Sequence, residues 1–351
     1  MYDVAKAVGV SGPVVSVVLN NRTDSTIKVS SKTRERILQA AKELNYTPSL
    51  LGRGLTEQKS YAIGLLLSEI NASLVADVIR GVQDVSTGRR YSAMVFIHNN
   101  AQQEATEFQR SMDRQVDGLI VDTFDTPADP HSAERYRELA KSGFPLVELF
   151  GNSIPEVPRI NVDFQGDARR AVERLVALGH RRITLVIHNQ YSNRIEHWAA
   201  WDFFQGYRVA MVDANLQPRI IGTPAILPPG GAQPLIESGR KGAGELTSLE
   251  ERPTAAICFG NCRAYGLVQG LQAAGWRIPE DISVVGFFDR QAAEVASPSL
   301  TSLIVAGRRA GQMAATAVFA LMEGQPAITP GVASEWIEGR SIALLSTKPE
   351  R

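Results

Sequence analysis

From residue 60 onward, apolar positions fall into two alternating patterns. Short apolar runs at 62–67, 93–97, 118–121, 146–149, 183–187, 255–259 and 282–287 predict buried strands. Longer stretches between them, such as 74–86, 103–114, 166–178, 203–214 and 263–274, predict helices. Strands alternating with helices indicate parallel sheets flanked by helices. About seven or eight such units exceed one sheet comfortably, so two α/β lobes are expected. Residues 223–244, rich in Pro and Gly, read as a surface excursion of the second lobe.

The first 46 residues are patterned differently. A short helix-forming run from Tyr2 ends at Gly9, and a second opens at Ser11 and closes near Asn20-Asn21. The Ser11 hydroxyl is placed to cap that second helix, and Pro13 is tolerated in its first turn. Two short helices joined through a Gly-containing turn form a helix-turn-helix unit, although many protein cores contain such a pair. A third helix follows, with Ser30 as its cap and Ile37, Ala40, Ala41 and Leu44 on its apolar face.

Composition narrows the possibilities. A chain of 351 residues is too long for one ordinary domain, which fits a small module joined to a two-lobed body. Its 37 basic and 37 acidic residues balance, but residues 1–60 hold nine basic against five acidic side chains. That surplus of four fits a DNA-reading head, and equally an ordinary solvated surface. Cys258 and Cys262 form a C-x3-C step without nearby His or Cys partners, so neither a metal site nor a disulfide is expected. Low cysteine content suits a reducing cytoplasm. The chain opens on helix signals without a leader pattern, and no apolar run reaches the roughly 20 residues of a membrane helix, so neither secretion nor membrane insertion is expected. The five histidines stand apart from any HExxH, GxSxG or P-loop pattern, which argues against an enzyme and against a bound cofactor. His180 reads as a packed structural residue.

The motifs DVAKAVGVS, VSVVLNN, KTRERILQAAKELNYTPS and the leucine at 55 resemble the LacI/GalR family of bacterial transcriptional repressors. The resemblance continues through IGLLL (63–67), VDGLIV (116–121), LGHRRI (178–183), PEDISVVGF (279–287) and PSLTSL (298–303). It implies a helix-turn-helix head over 1–47, a hinge helix over 48–58, and a periplasmic-binding-protein-like body over 59–351. The lobes are expected at about 59–160 with 291–323, and at about 161–288 with 327–345. Three crossovers are expected near Arg159–Asp163, Phe288–Gln291 and Glu323–Ala327. Family heads carry a couple of residues ahead of the Tyr2-Asp3-Val4 step, so a truncated or misassigned start is an expectation here.

For the head, the resemblance implies base-edge contacts from Gly12, Pro13 and Val17. Backbone contacts are implied for Tyr2, Ser11, Ser16, Asn20 and Asn21, with Arg22 and Arg53 beside them. Where the family commonly places a large polar residue, often Arg, this chain has Val17. Gly12, Pro13 and Val17 offer at most apolar contact, for example with a thymine methyl. Two readings stay open: a shape-assisted reader of an A/T-tolerant half-site, or a head that no longer discriminates. Leu55 of the hinge is implied to wedge into the minor groove, with Gly52 and Gly54 each lowering helix propensity by about 1 kcal/mol. A plain flexible linker is the alternative.

In the crevice between lobes, the positions implied to bind a small effector are Ser73, Leu74, Phe150, Asp163, Trp201, Asn261 and Phe288, with Trp198 nearby. Trp201 and Phe288 stand where sugar-binding members carry an Arg and an Asp. The effector is therefore expected to be less polar than a simple sugar; otherwise the aromatics close the crevice. The whole reading is a homodimer on double-stranded operator DNA, held by the segments 74–86 and 306–322 and switched by lobe closure. The alternative is a two-lobed sensor with weak or lost DNA specificity.

Overall fold

The computed structural model describes residues 1–19, 26–46, 59–68, 72–98, 100–123, 130–151, 154–189, 198–224, 232–288 and 290–345. The chain divides into two units, Met1–Tyr61 and Ala62–Arg351. The first holds α1 (Tyr2–Val8), α2 (Gly12–Leu19) and α3 (Ser31–Glu43). Gly9, at φ 72°, ends α1 in the left-handed region, where its N–H returns to the Ala5 carbonyl. Val4, Val8, Val15, Val18, Ile37 and Ala41 form the core. Ser30 caps α3, its Oγ accepting from the Thr33 N–H at 3.2 Å. Leu44 lies just past α3 and is half exposed, so the buried face stops at Ala41.

The second unit contains two sheets. β1 (Ala62–Ser68), β2 (Ser92–His98), β3 (Gly118–Asp122), β4 (Leu146–Leu149) and β5 (Arg159–Ile160) form one, in the order β2-β1-β3-β4-β5. All its pairings are parallel. The other sheet contains β6 (Ile183–His188), β7 (Arg219–Thr223), β8 (Ala255–Cys258), β9 (Ser283–Phe288), β10 (Thr301–Ile304) and β11 (Glu335–Ile337). Its order is β11-β10-β9-β8-β6-β7, and only β11 is antiparallel. α4 (Ala72–Gly88), α5 (Ala101–Asp113), α6 (Pro130–Lys141) and α12 (Gly307–Met322) flank the first sheet. α7 (Phe164–Ala177), α8 (Trp198–Asp213), α9 (Ala232–Thr247), α10 (Asn261–Ala273) and α11 (Arg290–Val295) belong to the second.

The chain passes between sheets after Ile160, after Ile304 and after Met322. The second passage corrects the expected crossover at Phe288–Gln291. β10 pairs with β9 in the second sheet, Ser302 opposite Gly286 and Leu303 opposite Phe287. A fully buried strand needs ladder partners for its backbone groups, and residues 301–304 find them in β9 and β11. Residues 291–304 therefore belong to the second lobe, and the returning part of the first lobe begins at Gly307. The first and third passages are joined: Val162 pairs with Val332, and the Val332 N–H donates to the Asn161 carbonyl at 2.7 Å.

The Pro/Gly-rich stretch 223–244 also differs from expectation, because α9 occupies residues 232–247. Its glycines are contact residues. A Cβ on Gly239 would lie 2.0 Å from the Arg263 carbonyl oxygen, and one on Gly266 would lie 1.9 Å from that of Ile236. Pro234 sits in the first turn, where a missing N–H costs no helical bond. α4 and α12 pack equally closely, a Cβ on Gly311 falling 2.2 Å from the Val78 carbonyl oxygen. Gly311→Ala must push that backbone apart, and the expected loss is about 1–3 kcal/mol of stability in urea denaturation. An unchanged midpoint would show that the two helices separate at no cost.

Candidate functional site

In the head, α1 and α2 meet at a bend of 104°, inside the range of about 90–120° for a helix-turn-helix. Five of the eight residues of α2 are Val or Leu. Such a helix turns inward on most sides: Val15, Val17 and Val18 are buried, and Val14 and Leu19 pack partly against the core. Val17 is only 6% exposed, which removes it from the base-edge candidates. Its hydrocarbon gains more from the core than from water, a pull that a large polar residue would resist.

What α2 leaves outside is small. Pro13 and Ser11 are exposed, Gly12 and Ser16 are half-buried, and a Cβ on Gly12 would meet nothing within 4 Å. Tyr2 is 78% exposed. Lys6, Lys28, Lys32 and Lys42 are exposed on the head. Arg36 instead braces the fold of the head. Its Nη2 donates to the Val8 carbonyl at 3.0 Å, satisfying an orphan acceptor at the end of α1. Asn20, Asn21 and Arg22, and the hinge 48–58 with Arg53 and Leu55, lie outside the described residues.

In the body, two of the passages leave β5 and β10 at their carboxyl ends, so the carboxyl edges of both sheets border the junction. Open parallel sheets take ligands at that edge. On the second sheet it carries an aromatic nest. Phe259 and Phe287 stack at 5.5 Å between ring centroids, and Phe203 lies 4.8 Å from Phe287. Phe164 meets Phe287 and Trp198 edge-on at 5.8 and 5.2 Å. Phe288 and His188 close the ring, 5.7 Å from Phe287 and 6.1 Å from Phe259 respectively. Phe164, Phe203 and Phe287 are core, whereas Phe259, Phe288 and Trp198 keep a sliver of surface. The sequence pattern singled out only Phe288 and Trp198; the signal for Phe259 is its place as the last residue of the apolar run 255–259.

The other anticipated effector residues are scattered by role. The Asp163 Oδ1 caps α7, accepting from the Gly166 N–H at 2.9 Å. Asn261 is fully buried, and its Oδ1 accepts from the Ser302 hydroxyl at 3.2 Å, tying α10 to β10. Leu74 packs its Cδ1 where a Cβ of Gly307 would stand. Trp201 is half-buried and pairs edge-on with Phe204 at 6.2 Å. The side chain of Ser73 lies outside the described part of the structure. Phe150 is buried at φ 53°, and Phe288 holds φ 104°. Both are backbone conformations that side chains rarely adopt. The Phe150 N–H donates to the Ile160 carbonyl at 2.9 Å, and the Phe288 carbonyl accepts from the Val305 N–H at 3.2 Å. Each strained residue thus holds the chain where it leaves a sheet.

The first sheet contributes polar groups that sequence reasoning missed. The Ser68 hydroxyl donates to Asp122 Oδ2 at 2.8 Å, and the Thr123 hydroxyl donates to Glu148 Oε1 at 2.7 Å. All four are buried, at or next to the ends of apolar runs. A polar residue closing an apolar run was the available clue.

Residues 1–49 match the pattern described as "Bacterial regulatory proteins, lacI family", and residues 172–342 match the "Periplasmic binding protein-like domain". The "HTH-type transcriptional repressor PurR" of Proteus mirabilis (strain HI4320) is 30% identical over 97% of this chain and 96% of its own. "Catabolite control protein A" of Priestia megaterium is 27% identical, over 87% and 86%. Among solved structures, the lac repressor dimer bound to operator and the anti-inducer ONPF has the same fold. It superposes with a TM-score of 0.78 at 24% identity, covering 97% of this chain and 98% of that one. This chain belongs to the lacI family of bacterial regulatory proteins.

Proposed function

We propose that the protein is a transcriptional repressor that binds a pseudopalindromic operator as a homodimer in the bacterial cytoplasm. The observation that carries this reading is the helix-turn-helix bend of 104° in a basic head, joined to a family-typical body. With Val17 packed inside, Gly12, Pro13 and Ser16 leave α2 to read the groove mainly through shape and methyl contact. Lysines around the head supply the phosphate attraction. Leu55 of the hinge is the proposed minor-groove wedge.

A small effector in the crevice is proposed to shift the lobes and so the two heads. The aromatic nest favours a flat or weakly polar ligand over a polyol. For dimer contact, β2 complements the helices. It is an edge strand, and its Val95 and Ile97 are 39% and 43% exposed. An edge strand with such side chains invites pairing, and a second copy is the occupant proposed here.

Anisotropy titrations with DNA upstream of the gene should give a specific-to-random affinity ratio of at least about 10³, falling steeply with salt. A ratio near one would sink the repressor reading. Leu55→Ala should weaken operator binding far more than random-DNA binding; equal losses refute the wedge. Ile97→Glu should move the protein towards monomer in sedimentation and weaken operator binding with it. A dimer of undiminished strength would place the interface elsewhere.

A further inference from the structure

Arg263 is a cation in an unusual position. Only 4% of it is exposed. Its side chain folds back to the amino end of its own helix, where Nη1 donates to the Phe259 carbonyl and Nε reaches the Ser238 hydroxyl at 3.3 Å. Among the described residues these two neutral oxygens are its only acceptors, and no carboxylate pairs with it. Cys258 beside it supplies no countercharge, since burial pushes that thiol up to about 12. Burial likewise draws the guanidinium down from its usual range, yet an arginine stays charged.

The helix adds to the penalty. α10 runs thirteen residues from Asn261, and its cap, Gly260, offers no side-chain acceptor. The amino end of a helix is itself positive, so Arg263 puts a second positive charge there. Gly260 sits at φ 101°, and a Cβ on it would press within 3.3 Å of Arg263 Nη1. The backbone is thus bare where the guanidinium lies. A buried charge with no countercharge among the described residues is costly, and an anion at this point answers both the side chain and the helix end.

The location is the carboxyl edge of the second sheet. Phe259 follows β8 and belongs to the aromatic nest, and the Ser238 hydroxyl donates to the Pro224 carbonyl just after β7 at 3.2 Å. We infer that the amino end of α10 is an anion site, in which Arg263 pairs with the carboxylate or phosphate oxygens of a ring-bearing effector. The inference rests on the crevice being the effector site, and it adds an anionic group to the flat ring that the aromatic nest favours.

Two measurements on the full-length protein test it. In anion-poor buffer, Arg263→Met should melt at or above the wild-type temperature, because it removes a buried charge that no described carboxylate offsets. A drop of more than about 3 °C would make Arg263 a structural brace and overturn the site. At matched ionic strength, melting and affinity for upstream DNA are then followed with benzoate against benzamide, phenyl phosphate against phenol, and inorganic phosphate. The anions should raise the wild-type melting temperature by several degrees and their neutral partners should not. Arg263→Met should lose the response and Arg263→Lys keep part of it. Equal effects of benzoate and benzamide, or no response to any anion, overturn the anion site. Inorganic phosphate acting as strongly as the ring compounds keeps the site but assigns it to the free ion. An anion that stabilises through Arg263 without altering DNA affinity upholds the site and defeats the effector reading instead.

Discussion

The two sheets are joined by three passages of the chain, and two of the three are a single hydrogen-bonded ribbon. Val162 lies beside Val332, and the clamp continues into α7. Asp167, almost wholly buried, accepts from the Ser334 hydroxyl and from Arg170, both at 2.5 Å, while Arg170 also donates to the Ser334 carbonyl at 2.7 Å. Burial pushes the Asp167 carboxyl up, and Ser334 and Arg170 pull it back. The arrangement fixes the amino end of α7 to the third passage. Any rotation of one sheet against the other would turn the first and third passages together, leaving the second, at Val305–Ala306, as the separate connection.

That division gives the strained phenylalanines a mechanical meaning. Phe150 grips Ile160, at the mouth of the ribbon, and Phe288 grips Val305, at the mouth of the second passage. Both rings are buried at carboxyl edges, where a ligand between the lobes would meet them. Strain of this kind persists only when its surroundings over-determine it. A group that displaces either ring acts directly on the backbone entering a passage, without any long relay through the core.

Much of the architecture was legible because buried parallel strands write themselves as apolar runs. IGLLL, GLIV and ITLVI predict β1, β3 and β6 without knowledge of their neighbours. β10 was misassigned to the first lobe because TSLI is as short and apolar as any strand, and only its pairing says which sheet it joins. α9 was hidden by glycines that look like chain breakers locally and are contact points in three dimensions. The head was recognisable from spacing, yet the inward turn of Val17 depends on how crowded with apolar residues the rest of α2 is. Of the family positions in the crevice, Phe288 lies in the aromatic nest, Asp163 caps α7 and Asn261 is hydrogen-bonded to Ser302. Arg263 carries no motif; its oddity is the absence of a countercharge among the described residues, which no one-dimensional pattern records.

The return of the chain to the first lobe has a consequence for how the molecule is made. α12 seats Gly311 against Val78 and Val318 against Gly118, contacts spanning roughly two hundred residues of sequence. While the ribosome is still producing the second lobe, the first has β1 to β5 but lacks the helix that covers β3 and β4. Its apolar face stays bare until the last of α12 emerges at Met322. Completion of the first lobe is thus a late event that waits on nearly the whole chain, so that slow, non-local closure and exposure to chaperones are built into the topology.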